Sequence, residues 1–292
     1  MYSFKEKYSE YLSLFEKRLD EFFARLKCKP QVLDDSLKYT LESGGKRIRA
    51  VLTLAVADML GVKTEDVADL ALAIELIHAY SLIHDDLPEM DNDDFRRGRP
   101  SNHKVFGVGN ALLAGDGLLN TAYAVLFEKC KEDKLYVDAA AFICGCAGVH
   151  GMIAGQSADL MCAEKGIKDE EMLDFIVSNK TGKLISAAAA SPAVIAGGKY
   201  FLELRQCGED LGKLFQLTDD VLDEEGSLAT IGKSAGKDRS ENKLTYVTFY
   251  GIDQCRVYAD IICSKCLGIL EGIEGETAFL GDLVNHVRYR EG

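Results

Sequence analysis

The chain has 292 residues, 47% of them hydrophobic, and its 47 acidic against 34 basic side chains leave a formal net charge of −13. An acidic balance of this size argues against nucleic acid as the main partner, because a phosphate backbone is met by a basic footprint, while the apolar share suffices for a large core. No early stretch joins a basic start to an apolar run and a cleavage site, and no unbroken apolar stretch reaches about 18 residues, so neither a signal peptide nor a membrane span is expected and the cytoplasm is the expected compartment.

With only four prolines, Pro30, Pro88, Pro100 and Pro192, no Trp, and no strong alternation of apolar and polar residues, the chain predicts an all-α protein, a single domain over 1–292 of long helices and short connections. Residues 3–27 predict an amphipathic helix with Phe4, Tyr8, Tyr11, Leu12, Phe15, Leu19 and Phe22 on one face, a packing or dimer helix. After Lys29 and Pro30 a second helix runs to Leu41, and ESGGKRIRA follows over 42–50. Its two glycines free the backbone to approach a ligand, and Lys46, Arg47 and Arg49 open the next helix. That pattern is either an anion site or a helix start with solvated charges, and it is not a P-loop, which needs GxxxxGK and then Ser or Thr.

A helix over 65–86 leads into HAYSLIHDDLPEMDNDDFRRGRP, residues 78–100. Asp85, Asp86, Glu89, Asp91, Asp93 and Asp94 crowd into ten residues, with Arg96, Arg97 and Arg99 directly behind them. Such crowding is either a solvated acidic loop or a place for a hard cation, and magnesium is usually held by one or two carboxylates plus phosphate oxygens. Adjacent guanidinium groups match the same phosphates. An EF-hand does not fit, since Phe95 takes a position where Asp or Asn is needed. Pro88 interrupts regular helix inside the cluster.

Residues 110–130 and 135–162 each predict a buried helix, the second rich in small residues around Gln156 and Asp159. A long helix over 169–196 holds the polar run Asn179, Lys180, Thr181, Gly182, Lys183, which reads as a kink aiming Lys180 and Thr181 into a cavity or as an exposed face that tolerates glycine. In LFQLTDDVLDEEG, Gln216, Asp219, Asp220 and Asp223 fall on one helical stripe, and His78, Ser81 and Asp85 form a similar stripe at the first acidic site. Two helices with acidic stripes can face each other across a cleft and share metal ions. Residues 225–243, rich in Gly, Ser and Lys, read as a linker or as a lid carrying Lys233 and Lys237. TYVTFYG at 245–251 has strand-like residues, yet helix is expected there and through the final stretch to 288. Nine cysteines, irregularly spaced, suit reduced thiols used as small hydrophobes, and the Cys263, Cys266 pair lacks the second pair a zinc site needs.

DDLPEMD (85–91) with RRG behind it, GGKRIR (44–49), the GQ of 155 and 156, KTG (180–182), FQLTDDVLD (215–223) and GKSAGKD (232–238) occur in the order found in trans-polyprenyl diphosphate synthases. The chain resembles that family along almost its full length, most of all bacterial farnesyl diphosphate synthases. The resemblance implies an isoprenoid-synthase fold with helices around a deep central cavity, and a homodimer. It implies that Asp85, Asp86 and Asp91, with Asp219, Asp220 and Asp223, hold magnesium ions on an allylic diphosphate. Arg96, Lys180, Thr181, Gln216 and Lys233 then match positions that contact the allylic substrate, and Lys46, Arg49, His78 and Arg97 match those that hold isopentenyl diphosphate. Asp85, Asp91, Arg96, Lys180, Asp219 and Lys233 would carry the chemistry. Ala50 departs from the family, where proline commonly follows GGKRIR, and Glu89 and Asn92 stand at variable positions.

The implied reaction ionises an allylic diphosphate, dimethylallyl or geranyl, and joins the cation to isopentenyl diphosphate inside an apolar pocket. Tyr80 and Phe215 are candidates for cation-π stabilisation. Ser81 lies about one helical turn from Asp85, with Tyr80 flanking that turn, and an aromatic there goes with a fifteen-carbon product in the family. A geranylgeranyl diphosphate synthase shares nearly every motif. A terpene cyclase does not fit DDVLD or a separate basic site, and a non-catalytic partner subunit would lose the aspartates that are kept here.

Overall fold

The computed structural model describes residues 2–226 and 243–290, and the segment carrying Lys233 and Lys237 lies outside the described residues. Helix α1 (Phe4–Arg25) starts where the Ser3 hydroxyl accepts from the Glu6 amide, and it buries Tyr11, Phe15, Leu19 and Phe22. That face packs on α3 (Ile48–Met59) and α4 (Thr64–Asp85), so the expected amphipathic helix is a packing helix. Between them α2 (Gln31–Glu42) begins directly after Pro30. Helix α4 is apolar nearly all round, from Val67 to Ile83, because it runs through the core between α3 and α6 (Val108–Cys130).

Three sequence expectations are refined. The stretch 135–162 is two helices, α7 (Lys134–Ala147) and α8 (Met152–Lys165). A Cβ on Gly151 would stand 2.1 Å from the Cys146 carbonyl oxygen, so the turn between them closes only on glycine. The long helix over 169–196 is α9 (Glu170–Ile176), a π-helical turn (Val177–Gly182) and α10 (Lys183–Ile195), so the polar interruption marks a change of helical register. Third, a minimal antiparallel ladder pairs β1 (Phe95–Arg96) with β2 (Arg99–Pro100) around Arg97 and Gly98, both at positive φ, the pattern of a tight type I′ turn.

The short helix α5 (Asn102–Phe106) leads into α6, and α11 (Phe201–Glu225) packs on α10 and on α13 (Ile252–Glu271). The strand-like segment forms the short helix α12 (Tyr246–Tyr250), started by a capping box of Thr245 and Thr248. The last helix, α14 (Ala278–Tyr289), returns to α1, where Phe279 stacks on Phe4 at 5.3 Å. Two close crossings fix α11: a Cβ on Gly208 would lie 2.6 Å from the Ser186 Cα, and one on Gly212 would lie 2.5 Å from the Gly182 Cα. All nine cysteines are free, and Cys263 and Cys266 sit buried in the α13 core. By length and composition α4 and the stretch Lys134–Lys165 could each cross a membrane, but most of the apolar window of α4 is buried within the protein.

Candidate active site

Both acidic motifs open onto one cavity of about 870 Å³. Asp85 is the last residue of α4, and the Asp91 amide donates to the Asp85 carbonyl at 2.9 Å, so the loop beyond the helix folds back and sets both residues in the cavity wall. From α11, Gln216, Asp219, Asp220 and Asp223 line the same cavity, as their shared stripe predicts. Lys180 and Thr181 also line it, so the polar interruption is a cavity feature rather than a solvated face. A Cβ on Gly155 would sit 2.2 Å from the Lys180 amide nitrogen, which lets α8 dock tightly against the π-helical turn. Arg49, His78, Tyr80, Ser81 and Arg96 complete the expected residues of the wall.

The carboxylates are not alike. Burial pushes the Asp85 carboxyl up to about 6, with Lys180 opposing and the neighbouring Asp91 adding to the shift. Asp91 meets Lys243 at 2.9 Å, and Asp219 meets Arg290 at 2.6 Å. Asp220 accepts from the Gln216 amide and from the Tyr246 backbone N–H, both at 2.8 Å. Asp86, expected beside Asp85 as a metal ligand, is 2% exposed and does not line the cavity; its carboxylate accepts from Arg96 instead, where it fixes that guanidinium. In the same way Asp159 holds the Lys180 ammonium at 2.6 Å, and the Thr181 hydroxyl donates to Gln216 Oε1 at 3.0 Å.

The basic group is likewise divided. Arg49 and His78 line the cavity, whereas Lys46 and Arg97 are not among its lining residues. The glycine pair was expected to let a ligand approach the backbone, but the Arg97 guanidinium takes that place: it donates to the Gly44 carbonyl, and a Cβ on Gly45 would meet its Cζ at 2.8 Å. His78 is held well below the usual imidazole range by burial and by Arg49, Arg97, Arg96 and Arg47, and is therefore neutral at neutral pH. Burial and Arg290 lower the Lys46 ammonium. Phe215, expected to offer its face to a cation, lines the cavity, and the Arg290 guanidinium lies over one face of its ring at 3.8 Å. The Tyr80 ring is 6% exposed and meets His84 edge-on at 5.6 Å.

Several participants escaped the sequence reading. Lys243 and Arg290 came without any spacing that tied them to the acidic rows, Glu75 drew no notice within an apolar helix, and Asp159, though noted beside Gln156, carried no sign of its pairing with Lys180. Among the described residues, Arg49 Nε and both amide atoms of Gln156 are buried without a hydrogen-bond partner. Orphaned buried polar atoms on a cavity wall fit a polar ligand. Among the described residues no three His, Cys, Asp or Glu side chains converge on one point. Carboxylates from both rows on one cavity wall, beside Arg and Lys, fit an ion held by one or two carboxylates and completed by phosphate oxygens and water, as magnesium is.

The polyprenyl synthetase family model matches residues 30–269. The farnesyl diphosphate synthase of Geobacillus stearothermophilus is 43% identical over 79% of this chain and 79% of its own. A chloroplastic geranylgeranyl pyrophosphate synthase of Capsicum annuum is 36% identical over 99% of this chain and 79% of its own. The Helicobacter pylori geranyltransferase, solved with magnesium and isoprenyl diphosphate, superposes with a TM-score of 0.83 at 28% identity, covering 98% of this chain and 97% of that one.

Proposed function

This chain belongs to the polyprenyl synthetase family of trans-prenyltransferases, and from that premise we propose that it condenses isopentenyl diphosphate with dimethylallyl and geranyl diphosphate to give farnesyl diphosphate. The observation that carries the reading is the single cavity shared by both acidic rows, Arg49, Arg96 and Lys180, whose wall continues into Tyr80, Leu119, Met152 and Ile153. Charge for a diphosphate and apolar surface for a prenyl tail are thus joined in one chamber.

Asp85, Asp91, Asp219, Asp220 and Asp223 would hold magnesium, and Asp86 would serve it through Arg96. When bound, magnesium neutralises the diphosphate as a leaving group. Lys180 and Arg96, each held by its own carboxylate, donate to the allylic diphosphate as the carbon–oxygen bond breaks and its electron pair passes to the departing oxygen. Thr181 orients the Gln216 amide beside it. Arg49 and neutral His78, with Lys46 and Arg97, hold isopentenyl diphosphate; its double bond attacks the allylic cation and the proton leaves to the released diphosphate. Apolar side chains around the tail keep water from capturing the cation. Lys233, assigned to the same allylic substrate, lies outside the described residues.

Tyr80 supports a fifteen-carbon product, because its buried ring stands in the cavity wall beside Ser81, which lies about one helical turn from Asp85. A geranylgeranyl product is the second reading, favoured by the likeness to the Capsicum annuum enzyme across 99% of the chain. Incubation with magnesium, isopentenyl diphosphate and each allylic starter, followed by product sizing, tests both. A C15 product supports the first reading, C20 the second, and no condensation defeats both. We also take the enzyme to be a cytoplasmic, single-domain homodimer, which the free cysteines and the exposed Leu112, Leu113 and Phe127 of α6 support.

A further inference from the structure

Glu75 is a carboxylate that the chemistry above does not use. It lies one turn before His78 on α4, is 2% exposed, and sits beneath the basic group rather than in the cavity wall. Arg47, the N-cap residue of α3, provides no side-chain cap for that helix. The missing acceptor comes from α4: Glu75 Oε1 takes the Ala50 amide at 3.2 Å, satisfying one of the open N–H groups of the first turn. Glu75 Oε2 lies 3.8 Å from Arg47 Nη1, and the Arg47 side chain is itself 2% exposed. The carboxylate therefore meets both ends of the run Arg47 to Ala50, and Arg49 lies within that run. Arg97 reaches the same place from the β1–β2 turn, with its guanidinium lodged against Gly45.

We propose that Glu75 is a positioning residue for isopentenyl diphosphate: by capping α3 at Ala50 and standing against Arg47, it fixes the first turn of α3 and with it Arg49, the guanidinium of that turn that lines the cavity. This rests on the assignment of that basic group to isopentenyl diphosphate. The physical reason is that buried guanidinium groups gathered on one site repel one another, and a carboxylate among them both offsets the repulsion and sets their spacing. Glu75 acts through α3, whereas Arg96 is held by Asp86, and Lys180, Thr181 and Gln216 stand on the π-helical turn and α11. Its loss is therefore felt by one substrate and not by the other.

The test is the Michaelis constant for each substrate separately. Glu75→Gln keeps an acceptor for the Ala50 amide and removes the charge; it is expected to raise KM for isopentenyl diphosphate about 10-fold and to leave KM for geranyl diphosphate within about 2-fold. Glu75→Asp keeps the charge but is too short to span Ala50 and Arg47, and is expected to give a smaller rise, about 3-fold, with the same selectivity. It carries the test alone if the glutamine variant fails to fold. Equal rises for both substrates, or no rise in either variant, overturn the proposal while leaving prenyl transfer by the wild-type chain intact. A wild-type chain that joins no prenyl diphosphates overturns the enzyme reading and this role together.

Discussion

A carboxyl group at the buried end of a helix becomes tolerable by taking up a proton or by meeting a cation. Asp85 follows this rule: burial, with Asp91 and Asp86 beside it, raises its proton affinity, and Lys180 and Arg96 only partly oppose the shift. The same deficit makes it a strong partner for a divalent ion. Asp85→Asn, which keeps the shape and removes the charge, is expected to lower kcat by about 100-fold or more with little change in thermal stability, measured by steady-state assay and thermal melting side by side. Tyr80 acts by bulk. Tyr80→Ala opens the wall beside Ser81 and is expected to shift the product to longer chains, seen by chromatography of the prenyl alcohols; an unchanged product length would remove Tyr80 from the control of chain length.

Among the helices, the site depends on how closely backbones approach. Gly155 lets α8 touch the π-helical turn, and Gly212 lets α11 touch it from the other side, at Gly182. Lys180 and Thr181 are therefore aimed by two glycine contacts, and the π-helical register presents them to the cavity without ending the helix. Gly212→Ala places a methyl group 2.5 Å from the Gly182 Cα, with backbone rather than a flexible side chain to absorb it. The expected cost is about 1–3 kcal/mol in chemical denaturation, with a loss of kcat larger than that loss of stability explains. Gln216 deepens the coupling, since it accepts from Thr181 and donates to Asp220, so one side chain links the turn to the second acidic row.

For the whole molecule, the acidic rows are braced by the protein's own cations: Asp86 by Arg96, Asp91 by Lys243, Asp219 by Arg290. The fold is held by a large apolar core that joins α1, α3, α4, α6, α7, α10, α11, α13 and α14. Removal of divalent ions with a chelator is thus expected to abolish turnover and to leave the melting temperature within about 2 °C, because an ion that binds mainly with substrate adds little to the free protein. Addition of magnesium should restore activity in full. A large fall in melting temperature on chelation would show that the metal supports the fold itself.

The all-helical class, the two acidic stripes and the interruption at Lys180 and Thr181 were legible in the sequence because helical spacing is a local property: residues three, four and seven apart share a face whatever the chain packs against. The same rule gave α1 its buried face and placed Gln216 with Asp219 and Asp223. It could not divide α7 from α8, since only the contact of Gly151 with the Cys146 carbonyl forces that turn. Nor could it say that Asp86 serves Arg96, that Arg97 fills the place between the two glycines, or that Glu75, Lys243 and Arg290 belong to the site. Those pairings join residues up to 152 apart in the chain, as Asp91 and Lys243 are. Sequence spacing fixes which side chains point the same way along one helix; which charge then meets which is settled only when separate helices pack and the excluded water leaves each buried ion only its packed neighbours as partners.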